Sequence, residues 1–311
     1  MSASPTIDAV IVTRNRLERL RMAVGSVRSQ TVRVRRIVVV DNASSDGTAG
    51  YLRGLGAGDV TPIILDRNIG GAGGFCRGLK TAYEGGADYA WLMDDDVIAR
   101  PDALQRLVEA SPRIEAAVGM RPGFLSSRVD WIDGSRCKIN VPVPGPMWLD
   151  LASELPGCIN VASSSFVSLL VPRESIWAAG YPVADFFIWY DDVEYTSRIS
   201  RDRPGFLICD SVVVHYTTEN APADFTNVND ENMLKYRFGM RNFMAINSTT
   251  LIGKAQAALA AVSIVRRMGK AGCRRRHLRA MLASAFSGLF FDYRKRIEFP
   301  PEELRERPVV R

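Results

Sequence analysis

Ala90-Trp91-Leu92-Met93 is a short apolar run that ends abruptly in three adjacent carboxylates, Asp94-Asp95-Asp96. The run reads as a buried strand entered from a loop at Gly85-Gly86. In open α/β sheets, ligands sit just beyond the carboxyl ends of the strands. Three acids in such a place repel one another and call for water or a cation. Mg2+ and Mn2+ suit carboxylate oxygens and keep positions open for substrate phosphates. Asp94 and Asp96 are therefore expected to hold a divalent ion that in turn holds the diphosphate of a sugar nucleotide. The other reading is a solvated acidic turn that caps a helix beginning near Pro101.

Upstream, the same strand-then-polar pattern repeats. Residues 7–13 (IDAVIVT) form a β-branched run that breaks into Arg14-Asn15-Arg16, with a helical pattern behind it. Residues 35–40 (RRIVVV) end in Asp41-Asn42-Ala43-Ser44-Ser45-Asp46-Gly47-Thr48. Residues 61–65 end in Asp66-Arg67-Asn68 and the glycine run Gly70-Gly71-Ala72-Gly73-Gly74. That run is neither a P-loop nor a dinucleotide fingerprint, and it reads as a flexible turn before a helix spanning about 76–84. The β-α-β-α-β-α-β rhythm predicts a Rossmann-like, mostly parallel sheet flanked by helices, with four polar loops on one edge.

Downstream, residues 109–155 show a weaker pattern of short strands and loops, and residues 160–172 read as one strand entered through Ser163-Ser164-Ser165-Phe166. A second chemical centre lies at Phe187-Ile188-Trp189-Tyr190-Asp191-Asp192-Val193-Glu194-Tyr195. Its acids open a helix, where Asp191 and Glu194 could simply cap it. An Asp in an aromatic, partly dry pocket also suits a general base. Residues 205–214 form a further strand ending in His215, whose imidazole would complete a carboxylate site and tilt it toward Mn2+. The other histidine, His277, sits in a basic run and reads as solvated.

The 311 residues suffice for a large core, and 47% apolar with 24% charged is ordinary for a globular chain. The net charge of +6 is uneven, with Lys and Arg concentrated between Lys254 and Arg296 on an apolar background. Residues 251–296 are expected to form one or two amphipathic helices, broken near Gly269 to Gly272, that associate peripherally with an anionic membrane; a helix packed on the domain with a wet basic side is the alternative. No RNA-binding signature accompanies these cations, so no nucleic-acid partner is expected. The five cysteines are scattered and odd in number, which fits a reducing cytoplasm. No secretory leader and no spanning segment is read, and the tail from Glu298 reads as loose. The expected location is the inner face of the cell membrane.

Taken together, VIVTRNR, VVVDNASSDGT, the acid triplet and the acid pair with a following histidine resemble the inverting, metal-dependent glycosyltransferases of family 2, which have the GT-A fold. The stretches at 66–75, 91–96 and 187–195 resemble those of bacterial galactofuranosyltransferases that build cell-wall or surface polysaccharide on lipid-linked acceptors. The resemblance implies a GT-A domain over residues 1–245, with a nucleotide-binding part (1–100) and an acceptor-binding part (101–245), and a basic helical extension over 246–311. It implies nucleotide or donor contacts from Thr13, Arg14, Asp41, Arg67, Asn68 and Asp95. Asp94, Asp96 and His215 would bind Mn2+ or Mg2+. Asp192 would be the base, with Asp191, Trp189 and Phe166 on the acceptor side. Relatives often carry an aromatic pair where this chain has Ser163-Ser164-Ser165-Phe166.

The implied reaction moves galactofuranose from UDP-galactofuranose to a saccharide acceptor, which would be polyprenyl-diphosphate-linked. The competing readings are a family 2 rhamnosyltransferase using a dTDP-sugar, a sugar-phosphate nucleotidyltransferase, and a non-catalytic membrane-associated partner that binds nucleotide sugar. The TRNR loop after the first strand weighs against the nucleotidyltransferase. The second acid pair weighs against mere binding. Oligomeric state is open at this stage.

Overall fold

The computed structural model describes residues 5–55 and 58–305. Four parallel strands form one half of the sheet: β1 (Ile7–Thr13), β2 (Arg36–Asp41), β3 (Val60–Ile64) and β4 (Tyr89–Asp94). All of β1 is buried, as a strand covered on both faces requires. Helices α1 (Leu17–Arg28), α2 (Thr48–Gly54) and α3 (Gly70–Glu84) make the crossovers. Parallel pairing sets Thr13 opposite Asp41 and Val12 opposite Asp94, so the polar strand ends are level along one edge. At the other end, buried Asp8 pairs with both Arg35 and Arg36.

The chain continues through β5 (Val97–Ala99), α4 (Ala103–Val118), β6 (Phe124–Trp131), β7 (Val143–Pro144), β8 (Cys158–Ser163), β9 (Leu169–Pro172), α5 (Arg173–Ala179), α6 (Asp191–Ile199) and β10 (Gly205–His215). The sheet order is β3-β2-β1-β4-β9-β6-β10-β8-β7, with β5 added on β10. Pairing of His215 with Val97 returns the end of β10 to the acid triplet, and the Tyr216 amide donates to the Asp96 carbonyl at 2.8 Å.

The glycine run is not a turn before the helix: α3 begins at Gly70. A Cβ on Gly74 or Gly78 would lie 2.5 Å from Val12 or 2.3 Å from Val10, so the missing side chains let the helix sit directly on β1. Residues 160–172 are not one strand. The serines interrupt them, β8 pairs with β10, and β9 sits between β4 and β6. The helix read as beginning near Pro101 is α4, and it runs past Pro112 into the weakly patterned region as far as Val118. The tail is docked as far as it is described: Tyr181 donates to the Glu298 carbonyl at 2.8 Å and Arg173 to that of Leu304 at 3.0 Å.

Three further helices, α7 (Met233–Asn247), α8 (Leu251–Lys270) and α9 (Arg275–Leu289), share an apolar cluster built on Met240, Met244, Ala261, Met268 and Met281. The boundary read near residue 245 falls inside this bundle. His277 is buried in it, with Nε2 at 2.9 Å from Asp230, and is not a solvated residue. Among the described residues no helix is long and apolar enough to cross a membrane.

Gly70 sits where α3 meets the turn that carries the second acid pair. Its φ is +77°, and a Cβ there would lie 2.0 Å from the Phe187 carbonyl oxygen. Gly70→Ala is expected to cost about 2–3 kcal/mol, from the left-handed backbone and the clash together. Urea unfolding checks this as a lowered midpoint with an unchanged slope.

Candidate active site

The loop after β1 supplies the first cations. Asn15 is left-handed (φ 53°), which turns Arg14 outward and brings the Arg16 guanidinium to Asp95 at 3.3 Å and onto Asp96. Arg14 itself is exposed, and only its backbone amide faces Asp95, at 3.4 Å. Thr13 is buried and donates to Asp95 at 2.7 Å. Asp41 is fully buried: one oxygen accepts from the Ser44 amide at 3.0 Å and the other has no protein partner. Asn68 caps the start of α3 through the Gly70 amide, at 2.9 Å. Arg67 is exposed and is not among the cleft's lining residues.

Asp94, Asp96 and His215 converge. One donor atom from each lies within 4.8 Å of the other two, a donor set that fits a small divalent cation. His215 Nε2 is 3.1 Å from Asp96, and its Nδ1 is 2.7 Å from the side-chain oxygen of Asn140. The Asn140 oxygen accepts from Nδ1, which orients the ring and leaves Nε2 aimed at the acids.

Burial, then Asp96, pushes the Asp94 carboxyl up to about 7, and burial pushes Asp95 up to about 6. Burial also acts against ionised Asp96, but His215 and Arg16 outweigh it, and this carboxyl lies below its ordinary range. Burial likewise opposes charge on His215, yet Asp96, Cys137 and Asp94 raise it to about 10. Crowded carboxylates short of positive charge are the electrostatic signature of a cation site.

The second acid pair opens α6 from an unusual turn. Phe187, Trp189 and Tyr190 all have positive φ, at 64°, 65° and 70°. Bulky side chains disfavour this region by about 1–3 kcal/mol each, so the turn must be held from outside. Asn242 of α7 does so: its buried amide nitrogen lies 2.9 Å, 3.1 Å and 2.9 Å from the carbonyls of Phe186, Ile188 and Trp189. The Ala72 amide in the first turn of α3 donates to the Phe187 carbonyl at 3.1 Å. Glu194 does not form the capping box that its spacing suggested; it pairs with Arg198 at 2.9 Å. Burial and then Asp192 raise the Asp191 carboxyl well above its ordinary value, and burial raises Asp192 to about 6.

Both centres open into one cleft of about 580 Å³, which Phe166 and Trp189 also line. Phe166 packs on Phe75 with ring centroids 4.8 Å apart, and Lys235 of α7 lies 4.8 Å above the Trp189 ring. The structure thus brings together Asp94, Asp96, His215, Asp191, Asp192, Phe166 and Trp189, while Asp95, the middle acid of the triplet, is held by Thr13. Arg16, Asn140 and Asn242 had no assigned role in the sequence reading. The only signal for Arg16 was its place in the post-strand loop; Asn140 and Asn242 gave none.

Glycosyl transferase family 2 matches residues 8–157. Galactofuranosyltransferase GlfT1 of Mycolicibacterium smegmatis is 30% identical over 221 residues, covering 67% of this chain and 70% of the relative. GlfT1 of Mycobacterium tuberculosis is 32% identical over 227 residues, covering 68% and 70%. An undecaprenyl-phosphate mannosyltransferase of Micrococcus luteus is 32% identical over 124 residues, covering 39% and 51%. Among solved structures, GalNAc-T7 crystallised with UDP, GalNAc and Mn2+ superposes with a TM-score of 0.56 at 15% identity. That alignment covers 78% of this chain and 48% of the other, so the chain spans about half that protein's length and the likeness is one of fold.

Removing the clamp on the strained turn tests its weight. Asn242→Leu leaves buried carbonyls unpaired and is expected to lower stability by about 2–4 kcal/mol. Thermal and urea unfolding of the variant check this.

Proposed function

The chain belongs to glycosyltransferase family 2, and we propose that it transfers galactofuranose from UDP-galactofuranose to a saccharide on a polyprenyl-diphosphate carrier, in surface or cell-wall polysaccharide synthesis. The observation that carries the reading is the meeting of Asp94, Asp96 and His215 with Asp191 and Asp192 in one cleft. The similarity to two GlfT1 proteins supports the donor, and that to an undecaprenyl-phosphate mannosyltransferase supports the lipid-linked acceptor. The reaction takes place at the inner face of the cell membrane, with the exposed apolar and basic side chains of α8 and α9 in contact with anionic lipid.

In this reading Thr13, Arg14, Asp41 and Asp95 hold the nucleotide and donor sugar, with Arg67 and Asn68 from the loop after β3. Asp94, Asp96 and His215 would hold Mn2+ or Mg2+, which when bound stabilises negative charge on the diphosphate. Asp192 takes the proton from the acceptor hydroxyl as its oxygen attacks the anomeric carbon from the face opposite the diphosphate. Asp191 orients the acceptor, and Trp189 and Phe166 form its apolar wall. A single displacement inverts the anomeric configuration and needs no enzyme nucleophile.

Asp192→Asn is expected to lower turnover at least about 1000-fold while UDP binding survives. Loss of UDP affinity with intact transfer contradicts the assignment. A base with its pKa raised to about 6 works only when ionised, so kcat/KM should rise with pH up to about 6, fall roughly tenfold per unit below it, and level off above. Asn140→Ala should weaken Mn2+ binding about 10–100-fold by calorimetry, with Asn140→Asp recovering part of the loss. A mass-spectrometric screen of UDP- and dTDP-sugars decides the donor; exclusive use of dTDP-rhamnose points to the rhamnosyltransferase instead.

A further inference from the structure

We infer that the excursion between β6 and β8, residues 132–149, is a membrane-docking loop that seats the mouth of the cleft on an anionic bilayer. The inference rests on the lipid-linked acceptor proposed above, and it concerns a surface remote in sequence from α8 and α9.

Eighteen large apolar side chains are exposed among the described residues, and six of them fall in these eighteen positions. Trp148 is 48% exposed, Leu149 65%, Val143 53%, Val141 46% and Ile132 49%. Single exposed apolar residues need no explanation, but this density in one short segment does. A tryptophan among aliphatics is the side-chain chemistry of the lipid interface, where an apolar body and an N–H donor are both accommodated.

Charge points the same way. Arg136 and Lys138 are exposed on the segment, with no ion-pair partner among the described residues. Asp133 is its only acid. Cations beside apolar side chains complement anionic headgroups, with the long stems of Lys and Arg lying along the apolar surface.

The segment is also continuous with the cleft. Ile139 and Asn140 line it, and Asn140 holds His215. Val143 pairs with Ser163, two residues before the cleft-lining Ser165. The segment has a defined shape: Asn220 accepts from the Lys138 amide at 2.6 Å, and Asn160 accepts from the Met147 amide at 3.0 Å. A lipid-linked acceptor must bring its sugar to Asp192 while its chain stays in the bilayer. A cleft whose rim itself rests on that bilayer meets the requirement.

The test uses the full chain and vesicles of phosphatidylglycerol and phosphatidylethanolamine, read by co-sedimentation. The double variants Trp148→Ser/Leu149→Ser and Arg136→Glu/Lys138→Glu are compared with Phe286→Ser/Phe290→Ser at the end of α9. Either loop variant should lower vesicle binding about tenfold. Transfer to a water-soluble acceptor should be unchanged, and transfer to a lipid-linked acceptor should fall. Loop variants that bind like the unaltered chain overturn the inference, whether or not the α9 variant loses binding. So does a chain that binds no vesicles, or an oligomer seen by light scattering that the Trp148/Leu149 variant dissociates, since the patch then belongs to a second copy. Absence of transfer to any soluble acceptor strikes instead at the function proposed above, and leaves the vesicle result to stand or fall alone.

Discussion

Mutual repulsion of carboxylates organises this molecule. Asp94, Asp95, Asp96, Asp191 and Asp192 crowd one region, three of them buried and two half-buried. The chain answers with fixed countercharge and hydrogen bonds: Arg16 on Asp95 and Asp96, His215 on Asp96, and Thr13 on Asp95. These do not neutralise the cluster, since Asp94 and Asp191 remain pushed upward. Asp94, Asp96 and His215 together offer a donor set that fits a divalent ion. Isolated buried carboxylates would be eliminated more cheaply by substitution than by such scaffolding.

The sheet brings the acids together by register. Parallel pairing levels the ends of β1, β2 and β4, and the return of β10 beside β5 adds His215 from more than a hundred residues downstream. No single loop carries the site, so its geometry is as rigid as the strands behind it. Packing enforces the same precision on α3, where Gly74 and Gly78 allow the helix to approach β1 at a distance that any side chain would forbid.

What could be read in the chain before the fold was known follows from this division. Strands buried on both faces announce themselves as β-branched runs, and polar groups after such runs fall on one edge, so the positions of Asp94 and Asp96 after β4 and of His215 at the end of β10 could be read; Asp191 and Asp192 stood out only by the aromatic stretch before α6. Contacts between distant segments were not. Arg14 and Arg16 flank one asparagine, and only the left-handed Asn15 decides which faces the acids. Asn140 lies in an excursion with no periodicity, and its meeting with His215 depends on where that excursion crosses β10. Gly70 to Gly74 look like a turn because helix propensity disfavours them. Close packing outweighs propensity there, as it outweighs the cost of Pro112 inside α4.

Asn242 ties the helical bundle to the turn that carries the second acid pair. The turn at 187–190 takes up backbone angles that glycines would adopt freely, yet it is built from Phe, Ile, Trp and Tyr. Glycines there would remove the apolar wall of the cleft and the dry surroundings that raise Asp191 and Asp192. Aromatic residues keep both at a conformational cost, and an external clamp must offset it. That clamp comes from α7, which shares its apolar core with α8 and α9 and also carries Lys235 over Trp189. Asp191 and Asp192 are therefore held in place from the same bundle whose α8 and α9 carry the exposed basic and apolar side chains. Loosening that bundle should disturb the acid pair before it disturbs the sheet.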